Sequence, residues 1–187
     1  MKYFTADQHF GHQRILEYTD RGFKTIQEMG EAYIEKWNSQ VQNDDIVYHL
    51  GDFCLGALDR AKYYLSQLRG DIKVVPGNHD DRWVYAYDKP YIDIFSASNH
   101  PLEVLPPISQ TTIQGNKTIL CHYPLRSWRA SFHGSWHLYG HVHGRIDAWG
   151  LSMDVGVDRA EGSLYSEDDI VKYMFIRKKY LDSLEKP

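Results

Sequence analysis

The chain has 187 residues, 42% hydrophobic and 25% charged, with a formal net charge of −4. That balance predicts one soluble globular domain spanning residues 1–187 with a core of its own, and the acidic excess argues against a general nucleic-acid-binding surface. No apolar run approaches the ~20 residues of a membrane span, no signal peptide opens the chain, and two cysteines, Cys54 and Cys121, suit a reducing compartment, so a cytoplasmic protein without a membrane partner is expected.

In chain order, Lys2-Tyr3-Phe4-Thr5-Ala6 predicts a short buried strand ending at Asp7-Gln8-His9, followed by Phe10-Gly11-His12. Two metal-binding side chains two residues apart just past a strand can share a cleft, although D-x-H alone recurs by chance. Thr25 and Glu28 form a T-x-x-E capping box. Behind them Ile26, Met29, Tyr33, Trp37 and Val41 recur at steps of three and four, which predicts an amphipathic helix. Asn43-Asp44 turns the chain into a second strand, Ile46-Val47-Tyr48-His49-Leu50, which ends at Gly51-Asp52. A second helix is expected with Leu58, Ala61, Leu65 and Leu68 on one face and Gly70 as its stop. The third strand, Ile72-Lys73-Val74-Val75, leads into Gly77-Asn78-His79-Asp80. Gly, Asn and Asp are ordinary turn residues, so this motif gains weight only from matching groups elsewhere. Alternating strands and helices predict parallel βαβ units, whose C-terminal strand ends share one edge where ligands sit.

Residues 82–87 are expected to be helical or looped, and the sequence then turns β-rich. Gly115-Asn116 between two apolar-alternating runs predicts a hairpin, and its return strand ends at Cys121-His122-Tyr123-Pro124. Trp136-His137-Leu138-Tyr139 ends at Gly140-His141-Val142-His143-Gly144, and residues 152–158 read as a late strand. Ser166 caps a final amphipathic helix that includes Ile170, Met174 and Arg177, with Arg177-Lys178-Lys179 as a cationic helix end. The two halves together predict two sheets packed face to face with helices outside.

Asp7, His9, Asp52, Asn78, His122, His141 and His143 each fall at or just beyond a predicted strand end. One such residue is an ordinary satisfied polar group, but seven in five motifs point to a metal centre. Two divalent cations about 3.5–4 Å apart need a bridging carboxylate and terminal ligands that leave room for water and substrate. A mixed N/O set without thiolate suits Mn, Fe, Zn, Co or Ni over Mg or Ca, with Mn favoured. Asp52, central in the order, is the bridge.

D-x-H, G-D, G-N-H-D, a lone H and G-H-x-H in this order resemble the calcineurin-like metallophosphoesterase superfamily, over Asp7 to His143. The resemblance implies an α/β fold, a four-layer α/β/β/α sandwich of two mixed β-sheets flanked by helices, with a dinuclear site. By motif position, Asp7, His9, Asp52 and His143 would hold one metal, and Asp52, Asn78, His122 and His141 the other. The implied reaction is in-line attack on phosphorus by a bridging hydroxide, with His79 as the catalytic histidine serving the leaving oxygen. The Ser/Thr protein phosphatase pattern G-D-x-x-D-R-G is broken here as Gly51-Asp52-Phe53-Cys54-Leu55-Gly56. This argues against protein phosphatase activity and leaves Asp80 as the alternative orienter of His79. The D-x-H-F-G-H opening and the H-Y-P-L-R-S-W stretch look more like the compact bacterial and phage phosphoesterases.

Arg82, Arg126 and Arg129 follow site motifs closely enough to grip a phosphate, against a plain role in surface solvation. His12 and His49 could reach the substrate but read first as structural histidines, and Trp83 and Trp128 as packing residues rather than base-stacking platforms. The expected substrate is a small phosphoester, including nucleotide-derived ones, with phosphodiesters ahead of monoesters because no cap domain is evident. The alternatives are a phosphomonoesterase, a non-catalytic metal-binding scaffold and a nucleic-acid end-processing enzyme.

Overall fold

A computed structural model describes residues 1–84 and 91–184, with backbone alone for 91–93. Three parallel strands lie side by side: β1 (Lys2–Thr5), β2 (Ile46–His49) and β3 (Asp71–Val74). Thr5 pairs with His49 and His49 with Val74, so the three strands stop level with one another. Between them run α1 (Ile15–Tyr18), α2 (Ile26–Gln40) and α3 (Leu58–Leu65). After α4 (Asp81–Val84), β4 (Tyr91–Phe95) and β5 (Pro101–Val104) complete one edge of this sheet. The part of the expected 82–87 segment beyond Val84 lies outside the described residues.

The second sheet is built from β6 (Ile108–Ile113), β7 (Asn116–Cys121), β8 (Trp136–Tyr139) and β9 (Ser152–Asp154). The last elements are β10 (Tyr165–Ser166) and α5 (Glu167–Leu184). The orders are β10-β1-β2-β3-β5-β4 and β6-β7-β8-β9, each mixing parallel and antiparallel neighbours. The sandwich of two mixed sheets flanked by helices is thus the fold.

Period-two alternation divides the side chains between two cores. Phe4, Leu50 and Val75 of the first sheet meet Leu120, Leu138 and Met153 of the second, forming the core between the sheets. On the other face of the first sheet, Val47 and Ile72 pack with Met29, Trp37 and Leu65 of the helices. α5 lies against β1, β9 and β10, and so flanks both sheets.

Local chemistry sets the boundaries, in places differently from expectation. Thr25 caps α2 by accepting from the Glu28 N–H at 3.1 Å, and the Glu28 carboxylate reaches back to the Lys24 N–H at 3.0 Å. α3 stops at Leu65 rather than running to Gly70. Gly70, at φ +98°, instead makes the turn into β3, where a Cβ would come within 2.9 Å of the Asp45 carbonyl. The hairpin turn is Gln114-Gly115, with φ of 44° and 86°, and Asn116 pairs with Ile113. Two positive φ values match the twist of a two-residue hairpin, so the turn sits one residue earlier than Gly115-Asn116. The expected strand over 152–158 ends at Asp154 because the chain changes sheets. The Val155 N–H still bonds to Tyr139, but that of Val157 bonds to Ala6. α5 continues past Arg177-Lys178-Lys179 to Leu184, so that run lies within the helix rather than at its end.

Thr25→Ala is expected to lower stability by about 1 kcal/mol, read as a lower urea midpoint at constant m. An unchanged midpoint would show the cap to be idle.

Candidate metal centre

The site is made where strands stop but loops do not part. Beyond β1 and β2, the N–H groups of Asp7, His9 and Phe10 bond to the carbonyls of Gly51, Asp52 and Phe53 at 3.0, 2.9 and 2.9 Å. The D-x-H and G-D motifs are therefore zipped side by side. The β7 and β8 ends bring His122 and His141 to the same region, and the Gly140 N–H bonds to the His122 carbonyl at 3.0 Å. Asp7, His9, Asp52, His141 and His143 have φ of 64°, 53°, 56°, 72° and 50°. Five of the nine non-glycine residues with positive φ among the described residues are thus these site residues. The left-handed region costs on the order of 1 kcal/mol per residue, although Asp, Asn and His enter it more readily than most. It turns each side chain out of strand alternation and into the cleft.

Three overlapping groups result: Asp7, His9 and His143; His9, Asp52 and His79; and Asp52, His122 and His141, with one donor atom from each residue lying within 4.8 Å of the others in its group. Asp52 stands at the centre. Its Oδ1 accepts from the His79 N–H at 2.9 Å, and its Oδ2 lies 3.5 Å from both His9 Nε2 and His122 Nε2. Asn78 Oδ1 is 3.2 Å from His122 Nε2. The structure thus gathers all seven residues singled out at strand ends, with the His79 ring 5.1 Å from that of His9 and 5.2 Å from that of His12.

The imidazoles are oriented from behind. His122 donates Nδ1–H to the Leu50 carbonyl at 2.8 Å, and His143 donates Nδ1–H to Asp158 Oδ2 at 2.7 Å, so each turns an Nε2 lone pair inward. Asp158 is itself clamped by Arg21, which donates Nε and Nη2 hydrogens at 2.9 and 2.8 Å and also reaches the Asp7 and Gln8 carbonyls. Burial opposes the charge on Asp158, but the bonds from His143 and Arg21 hold its carboxyl well below the usual range. Burial also opposes a charged His143, yet Asp158 draws its pKa upward. Small residues admit the carboxylates: a Cβ on Gly77 would meet Asp52 Oδ1 at 2.3 Å, and one on Gly140 would meet Asp7 Oδ2 at 2.7 Å.

The residues fit divalent cations. His9 Nε2 is buried without a hydrogen-bond partner among the described residues. Among the described residues, the oxygens of fully buried Asp7 accept only from the His141 N–H, and no cationic side chain bonds to them. Burial pushes its carboxyl up to about 7, against the pull of His122 and His143; a bound cation would reverse that sign. Burial works against charge on Asp52 as well, but His122 and His9 keep its carboxyl far down. Carboxylate, amide and imidazole donors suit transition metals.

The uncharacterized protein MJ1445 of Methanocaldococcus jannaschii is 32% identical over 179 residues, covering 91% of this chain and 89% of that protein. The chain belongs to the same family as MJ1445. Its motif order, two-sheet fold and converging side chains are those that the resemblance to the calcineurin-like metallophosphoesterase superfamily implies. The gene 66 protein of Mycobacterium phage L5 is 25% identical, over 90% of this chain and 91% of its own length. Among solved structures, AQ665 of Aquifex aeolicus, a protein of unknown function, shares the fold with a TM-score of 0.69 and 21% identity, covering 92% of this chain and 98% of that one. No family model matches the chain.

Other expected site residues lie elsewhere. Asp80 does not orient the His79 imidazole. Its buried carboxylate accepts from the N–H groups of Asp52 (2.7 Å), Phe53 (3.0 Å), Cys54 (3.3 Å) and Gly77 (2.9 Å), and from Trp83 Nε1 (3.1 Å). Burial pushes it up to about 7 while the Gly77 N–H and other backbone donors pull it down. It fixes the loop carrying Asp52 instead. Arg126 stacks over Trp149 at 3.5 Å, Arg82 is exposed, and Arg129 reaches Gln110 at 3.4 Å. His12 touches the site, its Nδ1 3.2 Å from that of His9, whereas His49 is structural, bonded to Gln8 and to the Gly51 N–H. Trp83 and Trp128 are packed in the interior. Sequence reading missed Arg21 and Asp158, which are 137 residues apart and meet only in the fold.

Asp158→Asn is expected to weaken Mn²⁺ binding about 10–100-fold, measured by titration calorimetry on protein whose circular dichroism matches wild type. Unchanged affinity would show that His143 needs no such orienter.

Proposed function

We propose that this chain is a metal-dependent phosphoesterase, hydrolysing phosphodiesters ahead of monoesters at a dinuclear centre, with manganese favoured. The observation that carries this reading is Asp52 Oδ2 equidistant from two imidazole nitrogens, 3.5 Å from each, one of which, His9 Nε2, is buried without a hydrogen-bond partner among the described residues. Asp7, His9 and His143 with Asp52 would hold one cation, and Asn78, His122 and His141 with Asp52 the second. When bound, such a pair supplies Lewis acidity toward phosphoryl oxygens and a nucleophile at neutral pH.

The chain's own residues supply the rest. Asp52 is held ionised, offering one oxygen to the centre while the other accepts the His79 N–H and fixes that residue's backbone. His79 is half-buried at the rim, where its imidazole can hold a proton for the departing alkoxide. Asp80 keeps the Asp52 loop from relaxing out of its left-handed turn. Small phosphoesters, nucleotide-derived ones among them, are the substrates proposed.

The test is hydrolysis of bis(p-nitrophenyl) phosphate and p-nitrophenyl phosphate by metal-stripped and reconstituted protein. Turnover should require added metal and favour the diester. His79→Ala should lower kcat about 10²–10⁴-fold with little loss of metal, and Asp52→Asn should remove both metal and activity. Absence of turnover with all five metals favours a binding scaffold, and a monoester preference overturns the diester assignment.

A further inference from the structure

The D-x-H-F-G-H opening contains three residues that the proposed centre does not use: Phe10, Gly11 and His12. Phe10 is fully buried and stacks on Tyr64, with ring centroids 4.4 Å apart. Its N–H bonds to the Phe53 carbonyl at 2.9 Å and its carbonyl accepts from the Leu55 N–H at 3.0 Å, which ties this segment to the chain just after Asp52. Gly11, at φ +72°, then reverses the direction, and the His12 N–H returns to the His9 carbonyl at 3.0 Å. A positive φ at the third residue of such a turn is what glycine supplies.

The turn folds one imidazole back on another. His12 Nδ1 lies 3.2 Å from His9 Nδ1, and the His12 ring centroid is 5.2 Å from those of both His9 and His79. His12 is buried, yet it belongs to none of the three donor groups among the described residues. A hydrogen bond between two imidazoles needs an N–H on one ring and a lone pair on the other. The second nitrogen of His9 decides which is which. His9 Nε2 is buried without a hydrogen-bond partner among the described residues and stands 3.5 Å from Asp52 Oδ2. To hold a cation it must keep its lone pair, so the His9 proton sits on Nδ1 and points at His12. The opposite arrangement would aim an N–H at the cation.

We propose that His12 is a positioning residue for His9. Its Nδ1 accepts the His9 Nδ1–H, fixing the tautomer and the plane of the ring that faces the cation shared with Asp7, Asp52 and His143. It does for His9 what the Leu50 carbonyl does for His122 and Asp158 for His143. Within the motif, Phe10 anchors, Gly11 turns and His12 orients. This role rests on the metal-centre reading and adds to it a residue outside the ligand set.

Zinc titration calorimetry and nitrogen-15 NMR of the full chain test it, zinc being diamagnetic and suited to the same donors. Wild type should take up Zn²⁺ at two sites. His12→Phe, which keeps a ring but removes the acceptor, should weaken one of them about 10–100-fold with circular dichroism unchanged. His12→Asn can place an amide oxygen where Nδ1 stood and should restore most of that affinity. A packing role alone would rank phenylalanine above asparagine. The NMR readout needs no substitution: in Zn²⁺-loaded wild type the proton of His9 should be on Nδ1 and that of His12 on Nε2. Zinc-loaded wild type with the His9 proton on Nε2, a His12→Phe variant with both sites intact, or a His12→Asn variant no better than His12→Phe overturns the role of His12 and leaves the metal centre standing. Wild type that binds no Zn²⁺ overturns the metal centre, and the role of His12 with it.

Discussion

The site depends on one constraint: five of its polar residues are held at positive φ just past strand ends. Left to itself, a chain leaving a β-strand would continue in extended conformation and alternate its side chains between faces. The left-handed turns end the strand geometry and curl the chain at each site residue, and Asp7 and His9 both belong to one group of converging donors. Their cost, of order 1 kcal/mol per residue, is offset by bonds that would be lost if the turns relaxed. The zipper between the β1 and β2 loops and the five N–H donors on Asp80 are among them. Glycines at 77 and 140 matter for the same reason, since a side chain there would occupy the space of a carboxylate oxygen.

Behind this frame lies a set of groups whose task is direction rather than contact. Asp158 and Arg21 form a partly buried ion pair that holds His143 by one nitrogen, and the Leu50 carbonyl does the same for His122. Each imidazole therefore presents a defined lone pair to the centre. Burying so many polar groups would be unfavourable if they were left unmatched. His9 Nε2 has no bonded partner among the described residues, and its surroundings suit a cation.

Much of this was legible in the sequence because strand ends carry strong local signals. Apolar runs of four or five residues stopped by Gly or Asp located β1, β2, β3, β7 and β8 closely, and the residues just after them are those the fold gathers. Where several residues would serve locally, tertiary packing decided. Gly115-Asn116 is as good a turn as Gln114-Gly115 until Ile113, fully buried, fixes the register of β6 on β7. Leu68 has the right spacing for α3 but is buried in the loop that follows. Asp80 drew notice by its place beside His79, yet its partners are four backbone N–H groups and the Trp83 indole, which no side-chain pattern announces. Arg21 and Asp158 had no signal at all, since neither sits in a motif and only the fold joins them.

In the proposed dinuclear centre, Asp52 stands between two cations. Anomalous diffraction from crystals soaked in MnCl₂ tests it most directly. Two peaks about 3.5–4 Å apart are predicted, one beside Asp7, His9 and His143, the other beside Asn78, His122 and His141, with Asp52 Oδ2 between them. A single peak, or two peaks that do not share Asp52, would contradict it.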